Sequence, residues 1–433
     1  MSRSVEVTAM IRNRLPSLPG ADDIHREVLP NGITILTRSN FNSPSVVVTG
    51  YFGAGALCDP DDKLGLAEYT AYTLMRGTKK RTFDNIYNEL EAVGASLGFS
   101  SGVHTSGFSG RSLVEDLPLL LKLLSESLIT PGFPKVEVEK LRAQLLTGLA
   151  IRAQDTGDMA SMTFDGILFK NHPYSRPEDG YPETIQRISR SDLARFHREY
   201  YGPRGMVMSV VGAVEAHEAV RQVKRALGGW QVKGQKESPE LPALKPLRKT
   251  VSRHHRIPGK SQSDIVIGTN GPRRRDPEYL AAMLGNNILG QFGMMGRIGD
   301  VVREKSGLAY YAYSSLSAGL GPGSWEVSAG VNPQNVRKAR DLIETELKRF
   351  VQEGVTEEEL TDTKANFIGR LPLSLESNGG VANALLNIER HNLGLDYYRH
   401  YPDLVNEVTP EDVLNTAGKF IDVNKLAVAV AGP

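Results

Sequence analysis

Residues 65–78 read GLAEYTAYTLMRGT. A glycine opens the stretch and a Gly-Thr pair closes it. Between them Glu68, Ala71 and Tyr72 fall at i, i+3 and i+4, the spacing that brings side chains together on a helix. Alanine cannot act as a base, and tyrosine is a poor metal ligand at neutral pH, so the three positions offer one carboxylate. The histidines elsewhere in the chain offer no helical metal-binding pair either. Its nine histidines are His25, His104, His172, His197, His217, His254, His255, His391 and His400, and none pair at i, i+4 around a carboxylate. His254 and His255 are adjacent, which points them to opposite faces of a strand.

Working outward, the chain repeats itself. Tyr181-Pro182 recurs as Tyr401-Pro402, 220 residues on, and the same offset pairs Ile188 with Val408, Asp192 with Asp412, Tyr200 with Phe420, Val210 with Val430 and Gly212 with Gly432. Each copy reads as a helix, a second helix opened by a capping residue (Ser189 or Ser191, then Thr409), and an apolar strand ending in glycine. Between the halves, residues 231–250 (QVKGQKESPELPALKPLRKT) have the makeup of a solvated linker. The domains expected are 1–230 and 251–433, joined by 231–250. Strand signals come early in each half, at 32–37, 46–51 and 264–268. Hairpins follow at 95–110 and 307–331, and long helices at 136–154, 336–352 and 357–370. Strands beside strands with grouped helices predict an α+β fold: two homologous domains, each a mostly antiparallel sheet with helices on one face.

Composition excludes several classes. At 433 residues the chain is too long for one ordinary core. Its formal charge of +1 gives no bulk reason to bind nucleic acid or an anionic membrane. The basic run Arg273-Arg274-Arg275 reads as a solvated turn. Cys58 is the sole cysteine, so no intrachain disulfide can form. The N-terminal MSRSVEVTAMIRNRLP lacks the apolar core of a secretory signal. The most apolar stretch, 113–129, is broken by Glu115, Asp116, Lys122 and Glu126 and reads as an amphipathic core helix, with no membrane span. A cytoplasmic location is expected.

The 65–78 stretch resembles the zinc helix of the pitrilysin/insulinase (inverzincin) peptidases, G-x-x-H-x-x-E-H with G-T shortly after, and Glu68, Ala71 and Tyr72 occupy its three reactive positions. In that family two imidazoles hold Zn²⁺ and the glutamate takes a proton from bound water. A further glutamate ligand follows on a long helix; the matching position is Leu149, and 144–154 contain no glutamate. The resemblance implies a vestigial zinc site and no metal in this chain. It continues at 29–32 (LPNG), at 408–413 (VTPEDV), and at 301–313 (VVREKSGLAYYAY), preceded by LGQFGMMGR at 289–297. An R-E-K-x-G-L-A-Y run there supplies an arginine near a helix end and a tyrosine on the next strand, here Arg303 and Tyr310. Such a guanidinium and phenol hold a peptide carbonyl and stabilise the developing oxyanion. Gly290, Gly293 and Gly296 lack the Lys-Ser/Thr of a phosphate loop and are expected to allow a tight helix start or close backbone approach. In active relatives, the strand matching the 94–110 hairpin pairs with substrate backbone.

The resemblance is to the half-length class that includes mitochondrial processing peptidase subunits, in which two chains close like a clamshell around a peptide chamber. In two-subunit bacterial members one chain carries the zinc motif and its partner the Arg/Tyr pair. This sequence resembles the partner. The expectation is an accessory subunit inactive alone, in a heterodimer with a homologous zinc-bearing subunit, acting on peptides. A scaffold like the core proteins of respiratory complexes, or a peptide-binding homodimer, are the alternatives.

Overall fold

The computed structural model describes residues 18–291 and 296–433. The N-terminal stretch 1–17 and Gly293 lie outside the described residues. The first sheet holds β1 (His25–Val28), β2 (Thr34–Ser39), β3 (Ser45–Phe52), β4 (Ser96–Ser101), β5 (Ser106–Leu113) and β6 (Val207–Gly212), in the order β1-β2-β6-β3-β5-β4. The second holds β7 (Val251–Arg256), β8 (Ser263–Asn270), β9 (Ala309–Leu316), β10 (Ser324–Val331) and β11 (Ala427–Gly432), in the order β7-β11-β8-β10-β9. Without β1 the two orders match strand for strand. In each sheet one pair is parallel, β2 with β6 and β7 with β11, and the remaining pairs are antiparallel. The fold is α+β with two homologous halves. Residues 231–250 contain neither helix nor strand.

The repeat detected in the sequence is built by matched caps. Asp192 N donates to Ser189 Oγ at 3.2 Å while Asp192 Oδ2 accepts from Ser189 N at 2.9 Å. Thr409 and Asp412 make the same reciprocal pair at 3.1 and 2.8 Å. Ser189, not Ser191, is therefore the cap of the helix Arg190–Tyr200, and Thr409 caps Pro410–Phe420. The 113–129 stretch divides: Leu113 stays in β5, paired with Ser45, and the helix runs only Leu117–Ile129, with Pro118 in its first turn. Gly290 permits a close approach, since a Cβ there would lie 2.6 Å from Ser314 N on β9. Among the described residues no helix is long and apolar enough to cross a membrane.

Each sheet packs one face on helices of its own half, where Leu120, Leu124 and Val223 cover the first and Ile343, Phe350 and Val413 the second. The opposite faces are covered by exchange. The helix Asn378–His391, from the second half, lays Val381, Ala382 and Leu385 on Leu36, Val47 and Val211 of the first sheet. The helix Thr156–Leu168, from the first half, lays Ala160, Phe164 and Ile167 on Val266, Ala427 and Ala429 of the second. Polar contacts pin both: Ser209 Oγ donates to Ala382 O at 2.9 Å, and Thr156 Oγ1 donates to the Asp264 carboxylate. With both faces covered, β6 is buried along its whole length. Each half thus completes the other's core.

Candidate functional site

The helix Leu66–Thr73 carries the degenerate motif. It starts at Gly65, whose φ of +90° favours glycine, and a Cβ there would meet Ile185 Cδ1 at 2.7 Å and Asp179 O at 2.9 Å. The buried Asp59 carboxylate caps it, accepting from Gly65 N at 2.9 Å and Ala67 N at 2.8 Å. Tyr69 OH donates to Val138 O at 2.6 Å, tying the helix to Lys135–Arg152.

The three motif positions do not share one environment. Ala71 is fully buried in the first core, Tyr72 is exposed, and Glu68 faces a cavity of about 810 Å³. That cavity sits where the halves meet. It is lined by Glu68, His104, Tyr174 and Glu178 of the first half, by Asp165 on the exchanged helix, and by the β9–β10 loop of the second half. Burial, reinforced by the Asp179 and Glu178 carboxylates, pushes the Glu68 carboxyl up to about 7. Burial, with Glu326 and Glu178 adding, does the same to Asp165, also to about 7. Glu178 is raised by burial and by Asp179. Burial lowers His104, whose Nε2 lies 2.7 Å from Tyr174 OH. Arg176 is engaged by Asp61 at 2.7 Å. The cavity therefore favours protonated carboxyls and a neutral imidazole.

It does not fit zinc. Ala71 has no donor atom, and burial and the Glu68 carboxylate raise the Tyr72 phenol above its ordinary value, disfavouring the phenolate a metal would need. Leu149, at the distal ligand position, is 4% exposed in the apolar core. Among the described residues no group of three or more His, Cys, Asp or Glu side chains could hold a metal.

Arg303 and Tyr310 stand elsewhere. Arg303 lies on the helical turn Gly299–Glu304, with Nε 3.7 Å from Glu304 Oε1, and its side chain is well exposed. Tyr310 is 65% exposed near the start of β9, the edge strand of the second sheet. Neither lines the Glu68 cavity, and among the described residues no hydrogen bond joins them. β4, at the edge of the first sheet, is the strand expected to meet substrate backbone in active relatives. Sequence reading missed His104, Asp165, Glu178 and Asp179. A signal existed for two of them, since Pro177-Glu178-Asp179-Gly180 abuts the repeated Tyr181-Pro182; Asp165 had none.

Comparison with known proteins bears on the fold and the family. Residues 34–177 match the profile of the Insulinase family (Peptidase family M16), and residues 187–367 match that of the Peptidase M16 inactive domain. The chain belongs to the insulinase family, peptidase family M16, and carries both of these domains. A Streptomyces coelicolor protein described as an uncharacterized zinc protease is 27% identical over 423 residues, covering 96% of this chain and 90% of that one. Subunit 1 of the bovine mitochondrial cytochrome b-c1 complex is 24% identical over 293 residues, or 67% of this chain and 60% of its own. The crystal structure of a peptidase M16 inactive domain from Pseudomonas fluorescens superposes with a TM-score of 0.88 at 25% identity, covering 95% of this chain and 98% of that one.

Proposed function

We propose that this chain is the non-zinc-binding subunit of a two-chain zinc metallopeptidase that processes or degrades peptides, supplying Arg303 and Tyr310 to its partner's active site. One observation carries the reading: the zinc-helix frame persists without ligands, while Arg303 and Tyr310 project into solvent, where a second chain can use them. A planar guanidinium and a phenol O–H aimed at a scissile carbonyl bind more tightly as negative charge builds on that oxygen. Zinc belongs to the partner, a homologue with an intact H-x-x-E-H motif. The same reading divides the chain into domains 1–230 and 251–433 with the linker 231–250. It places the protein in the cytoplasm, which the buried free thiol of Cys58 suits.

The test is reconstitution with a zinc-motif homologue from the same genome. Tyr310→Phe should lower kcat by roughly 10²–10³ with subunit affinity intact, and Arg303→Lys should fail to substitute. Unchanged kcat in an assembled Tyr310→Phe complex would remove the catalytic assignment. A scaffold role is then the second reading, favoured by the similarity to the bovine complex subunit. Co-purification with a respiratory complex would support it.

A further inference from the structure

The run Arg273-Arg274-Arg275 forms the expected turn, with Arg273 and Arg275 exposed and only Arg274 half-buried. Arg273 pairs with Asp276 at 3.1 Å. Arg275 donates to the carbonyls of His391 and Arg390, at 2.9 and 3.1 Å, closing the C-terminus of the exchanged helix Asn378–His391. Arg274 turns inward. Its Cζ lies 4.1 Å from the Tyr279 ring centroid and 5.4 Å from that of Tyr397, and its Nη2 donates to Tyr397 OH at 2.8 Å.

Arg274 lines a cavity of about 440 Å³ that also takes in Arg370, Phe367, Asn387, Tyr398 and Tyr401. No aspartate or glutamate lines it. Among the described residues the Arg274 guanidinium has no carboxylate partner, and Tyr397 receives its only side-chain hydrogen bond, so most of its five donors are uncommitted. The phenols of Tyr279, Tyr398 and Tyr401 are raised by burial and stay neutral, so they do not balance the charge. His391 close by is pushed down to about 4, by burial first and then by Arg274, Arg390 and Arg275. A half-buried cation without a counter-ion is costly. The cavity is of the size that takes a small ligand.

We propose that this cavity binds an organic carboxylate with an aromatic or apolar body, its head on Arg274 and Arg370 and its body among the tyrosine rings. The planar fork of arginine matches a carboxylate in two-point contact. The tyrosine and phenylalanine rings of the lining suit an acid with an apolar body, which inorganic phosphate lacks. Two sources share this chemistry, a free small acid and the C-terminus of a peptide. The inference rests on residues of the second half alone and is independent of the peptidase-subunit reading.

Calorimetric titration of the full chain with 3-phenylpropionate and with its amide tests it. The acid should bind at least roughly tenfold more tightly than the amide, the scale of a charge-assisted hydrogen bond. Arg274→Gln and Arg370→Gln should each weaken the acid by roughly tenfold or more and leave the amide unchanged, while Arg273→Gln, outside the cavity, should alter neither. Arg370 is exposed, so its variant folds even where loss of Arg274 packing does not permit it. A short peptide ending in a free phenylalanine carboxylate, compared with the free acid, separates the sources: tighter peptide binding assigns a chain terminus, and equal or weaker binding a small acid. Equal affinity for acid and amide, no binding of the acid at about 10 mM, or full affinity in Arg370→Gln would overturn the proposal.

Discussion

Replacing Glu68 by glutamine removes one charge from the cavity between the halves and keeps the side chain's volume. In the folded chain burial and the Asp179 and Glu178 carboxylates lift Glu68 from 4.5 to about 7. A group raised in this way adds stability that is fully present below its unfolded value and is lost as pH rises through the folded one. The window is therefore about pH 4.5 to 7. At about 1.4 kcal/mol per pH unit the ionised form costs at most about 3 kcal/mol above that window. Sharing the repulsion with Glu178 and Asp179, and water at the cavity mouth, reduces this to about 1–2 kcal/mol. Glu68→Gln should match the wild type near pH 4 and exceed it by that amount near pH 8. Urea titration across the window is the suitable assay. Unfolding entropy of about 2.1 cal/mol/K per residue makes Tm move only about 1 °C per kcal/mol in a chain this long. Parallel pH profiles for variant and wild type, or a less stable variant near pH 8, would refute the reasoning and show the Glu68 carboxylate held by a favourable partner.

The exchanged helices should be as costly to disturb as any core. Phe164→Ala, at a side chain 1% exposed against the second sheet, should destabilise by about 3–5 kcal/mol, with amide exchange rising first in β8 and β11. Gly65→Ala combines a left-handed φ with a Cβ 2.9 Å from a backbone oxygen and should cost more than about 1 kcal/mol in urea unfolding. Elemental analysis of the purified chain should find no stoichiometric zinc, and added zinc should leave the urea midpoint in place, since the described residues offer it no site. About one tightly held zinc per chain, lost in Glu68→Gln, would reverse that conclusion.

Local chemistry was legible in the sequence because it acts between near neighbours. Ser189 with Asp192 and Thr409 with Asp412 are capping partners three residues apart, and they mark equivalent helices in two copies of one design. β-branched runs announced β2, β3 and β8, and the absence of imidazoles at 68 and 72 is a fact of composition that no fold can alter. The exchange of helices was not legible. Residues 156–168 and 378–391 each present an apolar face that any sheet could accept, and the strands they cover lie up to some 270 and 350 residues away. The same holds for the acidic cavity, where Glu68 meets Asp165 and Glu178, and for Arg274, which meets Tyr279 and Tyr397. Periodicity states that a side chain is to be buried or exposed; which distant groups surround it, and hence whether its charge is balanced, is decided only when the two halves close on each other.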